Sequence, residues 1–183
     1  MKKIIIGVLL LIIIQVTHAQ DDANKKDNYT IQRLIVTNDN GEILIYKGKN
    51  YWMPPALRHN KNESITEGLE NLAQSYGLTI TRPELAGLFT YKFGFKQGVS
   101  FRSFYTAKVT GTDDISLPPP ITQAKWVTQS EIMKVIGGME VRKKMLKQVL
   151  EKPNTLWGGS FYLYNDKNGE RKSRVLESIY PLR

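Results

Sequence analysis

The chain reads as an α/β protein made of paired strands and a few short amphipathic helices. Three observations carry that reading: β-branched segments separated by tight-turn residues, two helix starts marked by capping boxes, and one long pair of alternating strands. The rest is arranged around residues 51–80 (YWMPPALRHNKNESITEGLENLAQSYGLTI), a strand end, a Pro-broken loop, a short helix and the entry to the next strand. Ser64 is placed as N-cap with Glu67 three residues on, the capping-box spacing. Ile65, Leu69, Leu72, Ala73 and Tyr76 recur at helical intervals on one face, and Gly77 is placed to end the helix in the left-handed conformation.

In chain order, residues 29–37 (YTIQRLIVT) form a strand, Asn38-Asp39-Asn40-Gly41 a tight turn and residues 42–46 (EILIY) a second strand. Pro54-Pro55 forbids a continuing ladder after Trp52-Met53, and a polar, basic loop is expected up to Glu63. A short β-like stretch at 78–81 follows the helix. Residues 85–95 and 99–110 alternate as two long antiparallel strands. The Pro-rich stretch at 111–120 is a loop, and residues 124–127 (AKWV) are a short strand. Thr128 with Glu131 makes a second capping box, opening a helix that Gly137-Gly138 interrupts and residues 141–150 resume. Residues 160–164 and 174–179 flank the turn-forming Asn168-Gly169 as a C-terminal hairpin, which lacks a Gly/Ser linker ahead of it and so is expected to pack on the domain.

At 183 residues the length suits one domain with a substantial core. The first nineteen residues are expected to be a cleaved export signal: Lys2 and Lys3, the apolar run from Ile4 to Ile14, then Thr17-His18-Ala19 ahead of Gln20. That run falls well short of the roughly 20 apolar residues a bilayer span needs. Residues 20–28 are then a flexible lead-in, 29–152 the main domain and 153–183 the hairpin extension. Losing Lys2 and Lys3 takes the formal charge from +9 to +7. Without cysteine there is no disulfide framework and no lipid-acceptor Cys at the cleavage point. The positive charge suits an anionic small molecule or an anionic envelope surface. It is dispersed along the chain, with no run of Lys or Arg interleaved with aromatics to form a nucleic-acid groove.

The order of strands, loop, short helix, strand pair and Trp-Val strand feeding a capped helix resembles the Nudix hydrolase superfamily over roughly residues 29–150. Trp52-Met53-Pro54-Pro55-Ala56, Asn62-Glu63-Ser64 and Ala124-Lys125-Trp126-Val127-Thr128 with Glu131-Ile132 carry the likeness. The resemblance implies an α/β/α sandwich with a mixed sheet. The family's marker is G-x5-E-x7-R-E-U-x-E-E-x-G-U, U being bulky and aliphatic. Anchored on Gly77-Leu78, its packing half survives in Leu72, Gly77 and Leu78, but its chemical half is changed throughout. Ala56 stands at the first glycine and Asn62 at the first glutamate. Glu70 replaces the arginine, Asn71 the glutamate after it, and Gln74 and Ser75 the paired glutamates. In active members those helix glutamates hold Mg²⁺ against a diphosphate. Asn and Gln offer a carbonyl oxygen without charge and cannot act as a base near neutral pH. No cofactor is therefore expected and no metal-binding or catalytic residue is assigned.

Glu63, Glu67 and Glu70 are the candidates for relocated carboxylates, at i, i+4 and i+7 on one helix face, with a solvated acidic face as the plainer reading. Arg58, His59 and Lys61 form a basic loop that could hold an anionic group in place of metal, or be ordinary loop charge. Trp52, Tyr91, Phe93 and Phe95 either line a ligand cleft or belong to the core. The leading expectation is an exported, periplasmic or secreted domain that binds a ligand or an envelope partner. One alternative is an active hydrolase of a nucleoside diphosphate-linked compound using Mg²⁺ or Mn²⁺. Another is an envelope interaction module built on the C-terminal hairpin.

Overall fold

The computed structural model describes residues 29–58 and 62–183. The expected signal at 1–19, the lead-in at 20–28, His59 and Lys61 lie outside the described residues. Nine strands and three helices are described: β1 (Tyr29–Thr37), β2 (Ile43–Lys47), β3 (Trp52–Met53), β4 (Ala56–Arg58), α1 (Ile65–Ser75), β5 (Glu84–Phe93), β6 (Val99–Lys108), β7 (Ala124–Val127), α2 (Gln129–Val135), α3 (Glu140–Glu151), β8 (Trp157–Asn165) and β9 (Arg171–Pro181).

The strands form one mixed sheet, ordered β3-β2-β1-β6-β5-β8-β9, with β4 against β1 and β7 against β2. Its centre is the parallel ladder of β1 on β6, from Tyr29 opposite Ser100 to Thr37 opposite Lys108. β5 and β6 pair antiparallel, as their alternation predicts, and β5 pairs in parallel with β8. Alternation along β1 divides the interior in two. Leu34 and Val36 face α1 and pack with Leu44, Leu69, Ala73, Tyr76 and Leu78. Ile35 faces α2 and α3, in a core with Phe89, Phe104, Ile132, Met145, Leu146 and Phe161. Helices on both faces of a mixed sheet make this the expected α/β/α sandwich. Burying each large apolar side chain in these layers is worth about 1.5–3 kcal/mol. Among the described residues, no helix is long and apolar enough to cross a membrane.

Both capping boxes form. The Ser64 hydroxyl accepts from the Glu67 backbone N–H, and the Glu67 carboxylate accepts from the Ser64 N–H at 2.8 Å; Thr128 and Glu131 repeat the exchange. Three departures from the sequence expectations have local causes. Pro54-Pro55 ends the β3 ladder, but proline loses only its donor. The Pro55 carbonyl accepts from the Leu34 N–H at 2.9 Å, and residues 56–58 of the expected loop then run as β4 against β1. The stretch at 78–81 makes only an isolated bridge, Ile80 to Val109. β8 starts earlier than expected, taking in Gly158 and Gly159, two residues usually read as turn. Both are buried, Gly158 beneath Leu182, where a β-carbon would lie 3.0 Å from that side chain, and Gly159 beside Phe89. The hairpin is thus built into the sheet, with Trp157, Phe161 and Leu163 in the core.

α1 stops at Gly77, whose φ of +79° is the left-handed conformation expected of it. A β-carbon there would also lie 2.9 Å from the Ser116 Oγ and 3.4 Å from the Asp114 carbonyl oxygen. Gly77→Ala is expected to cost about 1–2 kcal/mol from the backbone conformation alone. Chemical denaturation checks this as a lower midpoint at unchanged slope.

Candidate functional site

α1 presents the positions at which the Nudix motif would carry its carboxylates. Asn71, Gln74 and Ser75 are all exposed on it. The Asn71 amide donates to Glu63 Oε2 at 3.2 Å, and the Ser75 hydroxyl donates to the Leu72 carbonyl at 2.7 Å. Glu67 is exposed but engaged in the cap, while Glu63 and Glu70 are half-buried rather than fully solvated. Asn62 is exposed just before the cap. Ala56 lies on β4 opposite Arg33, and Arg58 is exposed at the end of β4 opposite Ile31. Among the described residues, no three His, Cys, Asp or Glu side chains come together in a way that could hold a metal ion. A divalent cation such as Mg²⁺ is usually held by one or two carboxylates beside phosphate oxygens. An amide, a second amide and a hydroxyl, with one neighbouring carboxylate already bound to an amide, do not fit that ion.

The opposite face of the sheet has different chemistry. A cleft of about 390 Å³ opens between β1, β6 and β5 on one side and the start of α3 on the other. Arg33, Arg102 and Arg142 line it together with Tyr91, Phe93 and Phe95, and Lys96 and Arg171 add positive charge. Its lining, among the described residues, contains no Asp or Glu. Arg33 occupies a position on β1 that shares the inward face of Ile35, and Arg102 shares that of Phe104 on β6. Arg142 comes from the first turn of α3.

Each of these arginines is held in place. The Arg33 guanidinium donates to the Pro54 carbonyl at 3.1 Å. That of Arg102 lies 5.1 Å from the centre of the Tyr91 ring, and that of Arg142 lies 5.1 Å from the centre of the Tyr51 ring. Gly137 and Gly138 make the last stack possible, since a β-carbon at Gly137 would run into Tyr51 and one at Gly138 into Arg142. Burial, then repulsion from Arg142 and Arg102, pushes the Arg33 guanidinium down to about 10 despite opposing effects of Tyr46 and Tyr91. Burial pushes the Tyr91 hydroxyl up to about 12, against the pull of the same arginines.

Of the residues singled out from sequence, Tyr91, Phe93 and Phe95 line this cleft. Tyr91 also belongs to the core, so the two readings offered for these aromatics merge at that residue. Trp52 is not in the lining. It packs at the edge of the same core, with Lys47 and Lys125 over its ring at 5.4 and 4.9 Å. Arg33, Arg102 and Arg142 escaped sequence reasoning. The available signal was a charged residue at an inward-facing strand position, in YTIQRLIVT and again in VSFRSFYTAKVT.

No family model matches the chain, and no curated protein matches it. Solved structures do. A MutT protein from Bacillus halodurans is 23% identical, covering 81% of this chain and 97% of its own, with a TM-score of 0.61. A NUDIX hydrolase from Nitrosomonas europaea is 17% identical, covering 77% and 81%, with a TM-score of 0.56. An ADP-ribose pyrophosphatase from Streptococcus suis is 9% identical, covering 69% and 92%, with a TM-score of 0.52. The chain has the Nudix fold.

The caps that engage Glu67 and Glu131 have a pH signature. Hydrogen bonds from Ser64 and from Thr128 hold these two carboxyls below their ordinary value of 4.5. A carboxylate with a depressed folded-state pKa stabilises the fold above its unfolded value, and that contribution is lost as pH falls through the folded one. The melting temperature is therefore expected to fall on acidification below about 4.5, and to fall less steeply in the E67Q/E131Q variant. Thermal melts from pH 7 to pH 3 check this.

Proposed function

We propose that this is a ligand-binding domain on a hydrolase-type scaffold, acting without ordinary metal-dependent diphosphate hydrolysis. The observation that carries the reading is the surface of α1. Asn71, Gln74 and Ser75 stand where metal-holding carboxylates belong, and the nearby Glu63 and Glu67 are already bound to Asn71 and to the helix cap. The basic, leader-like start of the sequence supports placing the protein outside the cytoplasm, in the periplasm or secreted. Its net positive charge favours an anionic ligand or an anionic envelope partner.

Phosphate release from a panel of nucleoside diphosphate-linked and dinucleoside polyphosphate substrates, with Mg²⁺ or Mn²⁺ and an active Nudix hydrolase as positive control, tests this. The expected outcome is turnover no faster than in protein-free controls. Metal-dependent turnover that disappears in E63Q, E67Q or E70Q would overturn the reading and establish relocated carboxylates in its place.

A further inference from the structure

The arginine cleft raises a question that the fold alone does not answer. Three guanidiniums converge there from β1, β6 and α3, and among the described residues the lining contains no Asp or Glu. Bringing like charges together in a partly desolvated place opposes folding unless something else is gained. Stacking on Tyr51 engages the plane of the Arg142 guanidinium but not the N–H groups at its edges. On Arg142, Nη1 is buried and, among the described residues, has no hydrogen-bond partner. Such an atom lacks an acceptor, and guanidinium edges match the oxygens of carboxylate and phosphate groups.

The remaining lining defines the rest of the occupant. Phe93 and Phe95 meet edge to face with ring centres 5.4 Å apart, and Tyr91 meets Phe93 in the same way at 6.4 Å. Met139, Met145 and Leu163 complete an apolar wall. A fully hydrated inorganic anion would leave this apolar part of the lining unused. The cleft volume lies near the lower end of the roughly 300–1,000 Å³ found for small-molecule sites, which suits one ring system rather than a polymer.

We infer that this cleft is a metal-independent binding site for a small ring-bearing anion, with Arg33 and Arg142 holding the anionic group and Tyr91, Phe93 and Phe95 holding the ring. The inference rests on the reading above that the domain binds rather than hydrolyses, and names where and what it binds. A cation–π contact fixes Arg142, and the Pro54 carbonyl fixes Arg33, so the anion meets donors that are already ordered. Phosphate and carboxylate share the chemistry that the guanidiniums recognise.

The test is isothermal titration of the purified protein in EDTA with four probes: 1-naphthyl phosphate, 1-naphthoate, inorganic phosphate and 1-naphthol. At least one ring-bearing anion is expected to bind saturably at one site per chain. Phosphate without the ring, and the ring without the charge, are expected to bind at least about tenfold more weakly. Whichever of naphthyl phosphate and naphthoate binds more tightly identifies the source of the anion. R33M and R142M are each expected to weaken that binding about tenfold or more, R142K to recover part of it, and R174M, on the outer strand β9, to leave it unchanged. Thermal melts of each variant separate lost binding from lost folding, and R142K retains a charged, foldable side chain if R142M does not fold. The inference is overturned if neither ring-bearing anion binds saturably in EDTA. It is equally overturned if phosphate or naphthol binds as tightly, or if folded R33M and R142M bind like the parent. Because EDTA excludes metal-dependent turnover from this experiment, its failure is distinguishable from a failure of the hydrolysis test.

Discussion

The parallel ladder between β1 and β6 is the constraint on which the rest of the molecule depends. It joins segments about seventy residues apart along nine consecutive registered pairs; β2, β4 and β5 attach directly to one or other of these two, and the remaining strands build outward from β2 and β5. Parallel neighbours need a long connection, and here that connection contains β2 to β5 together with α1. With both faces of the ladder covered, alternation along β1 sends Leu34 and Val36 to one core and Ile35 to the other. Moving the register by one residue would exchange those faces and bring Arg33 under α1.

The same alternation separates two kinds of chemistry. On the α1 side the helix packs Leu69, Leu72 and Ala73 inward and carries two amides and a hydroxyl, from Asn71, Gln74 and Ser75, on its exposed surface. On the α3 side, polar character is supplied by cations. Arg33 and Arg102 lie on adjacent strands, and Arg142 reaches them from the helix that covers that core. Fold and activity are separable in this way because the apolar layers that specify a sandwich lie beneath the exposed positions that would do chemistry.

Much of the fold was legible because its signals are local. Ser64 with Glu67 and Thr128 with Glu131 each satisfy helix N–H groups within four residues, and Gly41, Gly77 and Gly169 take the positive φ their turns require. The β5–β6 hairpin follows from two alternating segments joined by a short turn. The candidate site was legible only in part. Tyr91, Phe93 and Phe95 stand out as aromatics on a strand, but Arg33 and Arg102 look like ordinary strand charges until the sheet shows which way each position faces.

What the sequence determined by itself, then, is whatever is decided within a few residues: where helices start and stop, where strands turn, and that amides and a hydroxyl stand at positions 71, 74 and 75. The tertiary structure decided the rest. It returned residues 56–58 to β1 through a proline that keeps its acceptor, buried Gly158 and Gly159 inside a strand, and gathered positions 33, 102 and 142 around one cleft. The reason is physical. Strand pairing and helix docking are set by burial of whole apolar faces, a property of the folded layers that no single segment carries.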